Sequence, residues 1–183
     1  MEIRLPDRLR DEAVVLRGLR PDDAAPYAAA FGEDPDLGRL IGIETDPDET
    51  SVRERIEQLR DRTVEADFFQ LAIADPVSDA FLGTVLVHSL DERQRRGEVG
   101  VWLIRTARRR GIGRAAVALV ISWLFDELDL LRVEMTTTPD NPAVPALATG
   151  LGFTRGPPPS PQHRARKACR RGVVRPAARG VAR

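Results

Sequence analysis

"ARRRGIGRAA", residues 107–116, places three consecutive arginines, two glycines and a fourth arginine directly before an apolar stretch. Amide groups in the first turn of a helix have no partner within the helix, and the helix dipole adds partial positive charge at that end. Glycine lets the backbone approach a ligand with no Cβ in the way. Guanidinium groups nearby add paired donors suited to phosphate oxygens. The segment therefore reads as a seat for an anion where a helix begins. The competing reading is a loop whose arginines are merely solvated.

Two common anion motifs fit poorly. A Walker loop needs Lys and then Ser or Thr after its last glycine, where this chain has Arg114 and Ala115. Gly111-Ile112-Gly113-Arg114-Ala115-Ala116 satisfies a dinucleotide pattern, with Glu134 near the place of a ribose-binding acid. That pattern must follow a strand almost at once, whereas Ile104 to Arg110 intervene here.

Working outward, "GEVGVWLI" (97–104) alternates as a strand does, with Val99, Val101 and Leu103 on one face and Glu98, Gly100 and Trp102 on the other. Gly100 inside it suggests a bulge or a close backbone approach. "FFQLAIAD" (68–75) and "AFLGTVLVHSL" (80–90) read as two further strands joined by the turn residues "PVSD". After the arginines, a helix carries Val117, Val120, Ile121, Leu124 and Leu128 on one face. Ala115, Ala118 and Ser122 on the other face suggest that it is largely buried. "LRVEMTTT" (131–138) reads as a strand, "PDN" as a turn and 142–150 as a short helix.

Towards the N-terminus, "AVVLRGLR" (13–20) reads as the first strand and "PDDAAPYAAAF" (21–31) as a helix start. Residues 32–49 are rich in Gly, Pro and Asp and read as a loop. Ser51 with Glu54 forms a capping-box pattern, and Val52, Ile56 and Leu59 then line one face of a second helix. The order is strand, helix, helix, three strands, helix, strand, helix. It predicts an α/β (α+β) fold with a mixed sheet and helices on both faces.

The 183 residues suit one domain, and 42% apolar with 31% charged content is ordinary for a soluble protein. The charged N-terminal stretch "MEIRLPDRLRDEA" has no secretory core, and Ala115–Phe125 is far shorter than the roughly 18 residues of a membrane span. The single cysteine, Cys169, excludes an internal disulfide and suits a cytoplasmic location. With only His88 and His163 besides, no metal is expected. Residues 155–183 hold nine basic and no acidic residues, which leaves 19 basic against 28 acidic residues in 1–154, a net of −9. So acidic a body argues against general nucleic-acid binding.

With these residues in place, the chain resembles the GNAT N-acetyltransferase superfamily, in the branch of ribosomal-protein N-terminal (RimJ/RimL-like) acetyltransferases. Arg108-Arg109-Arg110-Gly111-Ile112-Gly113 meets that family's Gln/Arg-x-x-Gly-x-Gly/Ala motif. The acid, glycine and aromatic of "GEVGVWLI" and the spacing from Asn141 to Gly152-Phe153 fit as well. The resemblance implies a mostly antiparallel GNAT-like sheet, acetyl-CoA as cosubstrate and a primary amine, in this branch a protein N-terminus, as acceptor. It implies that main chain near Leu103, Ile104 and Arg105 binds the pantetheine arm as an added strand would. Amides and side chains of Arg108, Arg109, Arg110, Gly111, Ile112, Gly113 and Arg114 would take the diphosphate, and Asn141 would lie beside the arm. The amine attacks directly after losing a proton, with Glu98 as candidate base and Glu134 as the weaker one. Glu98 as an ordinary strand-edge ion-pair partner stays open.

Two positions depart from the family. Val144 stands where this branch often has a small hydroxyl residue, and Ala148 where many members have tyrosine. Neither can protonate the departing thiolate, which with a pKa of about 8–9 leaves fairly well unaided. A non-catalytic domain that binds CoA or a partner is therefore the alternative. After Phe153 come five prolines and the basic residues, the kind of composition a shifted reading frame produces. It predicts a domain over 1–154 and an irregular tail over 155–183, lacking the family's last two strands. An exposed sheet edge would follow, which leaves a homodimer open. The tail could also draw RNA, although it has no aromatic residue to stack on bases.

Overall fold

The computed structural model describes residues 5, 7–43, 47–62, 68–137, 141–155 and 170–174. The strands are β1 (Arg8–Arg10), β2 (Val15–Gly18), β3 (Phe69–Ala74), β4 (Phe81–Asp91), β5 (Arg96–Leu103), β6 (Arg132–Thr137), β7 (Thr154–Arg155) and β8 (Arg170–Val174). The helices are α1 (Ala24–Glu33), α2 (Leu37–Ile41), α3 (Glu49–Arg62), α4 (Ile112–Asp126) and α5 (Ala143–Gly150). The strands form one sheet in the order β1-β2-β3-β4-β5-β6-β8-β7. Every pairing is antiparallel except β5 with β6. That parallel pair is joined through α4, the crossover such a pair requires. Among the described residues no helix is long and apolar enough to cross a membrane.

All six residues of β3 are buried, because helices cover both faces of the sheet there and five of the six are apolar; the sixth, Gln70, donates to Thr84 Oγ1 at 2.8 Å. On one face Leu71, Val85, Val87 and Val99 pack with Val117, Val120 and Leu124 of α4. On the other, Ala72, Phe81 and Trp102 pack with Tyr27 and Phe31 of α1 and Val52 and Ile56 of α3. Val99 faces the first core and Trp102 the second, as the alternation in 97–104 requires. Tyr27 meets the Trp102 ring edge-on at 4.9 Å, a favoured aromatic geometry.

Three local expectations are corrected. The stretch 32–49 contains helix α2, which ends on Gly42 in a left-handed conformation. The second helix begins at Glu49, capped by Asp48, whose Oδ1 accepts the Ser51 N–H at 2.8 Å; Ser51 is inside the helix. In α4, Ala118 and Ser122 are exposed, so only the face towards the sheet is covered.

The expectation that the last two strands are lacking is also corrected. β8 pairs with β6 from Val133–Val174 to Thr137–Arg170, and β7 pairs with β8. The segment "RRGVV" has paired valines and no proline. Whole-tail composition hid this short pairing-competent stretch.

Candidate active site

The Ile104 N–H donates to the Leu82 carbonyl at 3.0 Å. Main-chain groups alternate between the two neighbours of a strand, so those of Val99, Val101 and Leu103 face away from β4, towards β6. Yet the register of β5 with β6 stops at Glu98–Glu134, although β5 runs on to Leu103 and β6 to Thr137. Val101 and Leu103 thus present main chain where the two strands no longer pair. Gly83 holds β4 close at this end. Its φ is +147°, and a Cβ there would overlap the Trp102 carbonyl oxygen and lie 2.8 Å from the Leu103 Cα. Gly100 does not mark a bulge: it pairs in register with Leu86, and a Cβ would meet the Leu86 Cβ at an ordinary 3.7 Å.

β5 leads into a 3-10 turn, Arg105–Ala107, whose Ala107 is wholly buried and donates its N–H to the Ile104 carbonyl at 3.1 Å. The carbonyl of Arg105 accepts the Arg108 N–H at 3.3 Å. Arg109 at φ +59° and Gly111 at φ +79° are both left-handed, and Gly111 caps α4. A Cβ at Gly111 would meet nothing, so the backbone angle and not space calls for glycine. Ala115 donates its N–H to the Gly111 carbonyl at 3.0 Å. The amides of Ile112, Gly113 and Arg114 come before it and have no helical acceptor. Ile112 buries its side chain in the core and so fixes where the helix starts.

The arginines of this segment are not alike. Arg105, Arg109, Arg110 and Arg114 are exposed. Arg110 lends its charge to Asp75, whose carboxyl the Ser78 and Val77 N–H groups hold below the usual range. Arg108 is committed: its Nε donates to the Leu103 carbonyl at 2.9 Å, and its terminal nitrogen ion-pairs with Asp34 at 2.6 Å.

Glu98 lies on the sheet face away from α4 and is buried. Thr136 Oγ1 donates to its Oε2 at 3.1 Å. Its cross-strand neighbours are His88 on β4 and Glu134 on β6. Glu134 is fully buried and ion-paired with Arg96 at 3.7 Å and with Arg132. Asn141 precedes α5, and its Oδ1 accepts the Ala143 N–H at 3.2 Å. Val144 and Ala148 pack against the core. Pro145 sits in the first turn of α5, where a missing N–H costs little.

Residues 13–154 match the acetyltransferase (GNAT) domain family. The chain belongs to that family. The uncharacterized N-acetyltransferase p20 of Bacillus licheniformis is 26% identical over 149 residues, which cover 81% of this chain and 83% of that protein. The Mycobacterium smegmatis RimJ structure in complex with CoA-disulfide superimposes with a TM-score of 0.76 at 20% identity, over 92% of this chain and 86% of that one. The ribosomal-protein-S5-alanine acetyltransferase of Vibrio fischeri does so with a TM-score of 0.74 at 20% identity, over 92% and 96%.

As a GNAT enzyme the chain is an acyl-CoA N-acyltransferase that moves an acetyl group to an amine, and the family uses acetyl-CoA as cosubstrate. The residues present fit that molecule. Left-handed Arg109 and Gly111, the first-turn amides of α4 and four exposed guanidiniums suit a diphosphate. Main chain of Val101 and Leu103 at the end of the β5–β6 pairing suits an amide-bearing arm. The resemblance pointed to Leu103, Ile104 and Arg105, but the Ile104 N–H is already bonded to Leu82, and the carbonyls of all three are engaged. Val101 was not among these binding residues, although its two-residue spacing from Leu103 on one strand face was the signal for it. Thr136 and Asp34 had no signal in the sequence, because their partners are distant in the chain.

Proposed function

We propose that this chain acetylates the free amino group of a protein N-terminus by direct attack, from a cytoplasmic location. The observation that carries the reading is the early stop of the β5–β6 register at Glu98–Glu134 beside the glycine-capped start of α4. Support for the acceptor class comes from the Vibrio fischeri protein, which is named for acetylating a ribosomal protein.

Acetyl-CoA supplies an activated thioester when bound. Amides of Arg109, Arg110, Gly111, Ile112, Gly113 and Arg114 take its diphosphate, with the exposed guanidiniums adding charge. The N–H groups of Val101 and Leu103 hold the arm, with Asn141 at its flank. Glu98 removes a proton from the incoming ammonium, and Thr136 orients the Glu98 carboxylate. Val144 and Ala148 carry no proton to give, so the thiolate leaves unassisted. The domain spans 1–154, and the tail adds β8 to its sheet.

Two measurements test the reading. Calorimetric titration with acetyl-CoA should show saturable binding. CoA release on a panel of peptides with free N-termini should then exceed that on blocked peptides, and Glu98→Gln should slow it by about 10²- to 10⁴-fold while binding persists. Binding without release on any peptide would favour the non-catalytic reading, which rests on Val144 and Ala148. No binding would overturn the proposal.

A further inference from the structure

We propose that Arg108, the first arginine of the cofactor motif, is a positioning residue that clamps β5 to the α1–α2 turn and does not read phosphate. Its guanidinium spans two anchors, Nε on the Leu103 carbonyl at 2.9 Å and the terminal nitrogen on Asp34 at 2.6 Å. Among the described residues Arg105, Arg109 and Arg114 make no such side-chain contacts; they remain available to an anion while Arg108 is spent.

Asp34 is the other half of the clamp. It follows the last residue of α1, its carbonyl accepts the Leu37 N–H at 2.9 Å, and its Oδ1 accepts the Asp36 N–H at 3.3 Å. One carboxylate thus shapes the turn and takes the arginine. Its side chain is only 16% exposed, so losing the arginine would leave a mostly buried charge unbalanced. The turn leads into Leu37, which packs with Tyr27, Phe31 and Trp102 on the face that also carries Glu98. The clamp therefore fixes the helices over the Glu98 face relative to the strand end that leads into the diphosphate loop. This role rests on the functional reading above only for what each side binds.

Lysine separates the two roles. It keeps the positive charge but, as a point donor on a flexible stem, cannot span both anchors. Arg108→Lys, Arg108→Ala, Asp34→Asn and the Arg108→Ala/Asp34→Asn pair would be compared with wild type in two assays. In the first, acetyl-CoA dissociation constants should stay within about threefold in every variant, while kcat/KM for the peptide acceptor falls about tenfold or more. Arg108→Lys should resemble Arg108→Ala, and the pair should be no worse than its poorer member. In the second, melting temperatures without cofactor should show the same non-additivity. A marked loss of acetyl-CoA affinity in Arg108→Ala with Asp34→Asn like wild type, or additive melting shifts, would overturn the clamp. If wild type binds no acetyl-CoA, the functional reading alone falls, and the melting cycle still decides for or against the clamp.

Discussion

Gly83 and Gly100 sit one strand apart in the middle of the sheet, and the sequence drew attention to the wrong one. Alternation in 97–104 marks Gly100 as unusual, yet its neighbourhood would accept a methyl group. Gly83 is the position where two backbones come within the reach of a Cβ, and its φ of +147° is one that other residues rarely adopt. A residue's own segment does not record how near its partner strand lies. Gly83→Ala should destabilise the fold by about 1–3 kcal/mol or more, whereas Gly100→Ala should stay within about 0.5 kcal/mol of wild type. Urea unfolding of the two variants provides the check, and equal losses would contradict the account. Arg17 was equally unreadable: it reads as one more arginine in a strand. In the structure it is buried, pairs twice with Asp23 at 2.7 and 2.9 Å, and reaches Asp79 at 3.2 Å. The Asp23 hydrogen bond outweighs burial and holds its proton more firmly than usual.

Elements with a clear period were legible, and short ones were not. β3, β4, β5, α4 and β6 each carry enough alternating or helical apolar positions to stand out, and β5, α4 and β6 build the candidate site. β1 has three residues and α2 five, too few for a period to show. α3 was placed but its start was not, because Asp48 and Ser51 are both good capping residues and sequence cannot rank them. Asp48 also accepts the Ser51 bonds, backbone N–H foremost, that hold its carboxyl below the usual range. Asp48→Ala should cost about 1 kcal/mol and Ser51→Ala less, measured by thermal unfolding; the reverse order would restore Ser51 as the cap. The turn at "PDN" lies largely outside the described residues; among these, Asn141 is tied to the start of α5 through its bond to the Ala143 N–H.

Across the whole molecule, charge ties several elements together at the β3–β4 turn. Arg8, Arg17 and Arg20 all converge on Asp79 at 2.6, 3.2 and 2.6 Å, fastening the β3–β4 turn to β2 and the start of α1. Burial pushes the Asp79 carboxyl up, but the Arg20 hydrogen bond and the Arg17 charge outweigh it, so the folded value lies below the ordinary one. A depressed folded value stabilises the protein above the unfolded pKa, about 3.9, and the gain is lost as pH falls through the folded value. The melting temperature should therefore drop below about pH 4, and less steeply in Asp79→Asn; identical slopes in the two proteins would rule out this carboxylate as a source of acid sensitivity. At the same scale, a single layer of strands separates two packed halves, with Ile104 lying partly buried against both. Changes in one half reach the other through that layer and through the Arg108–Asp34 pair, so away from those two routes their effects should be close to additive. On the proposed reading, the helices over the Glu98 face can then drift in descent while the main chain that grips the thioester donor is left as it was.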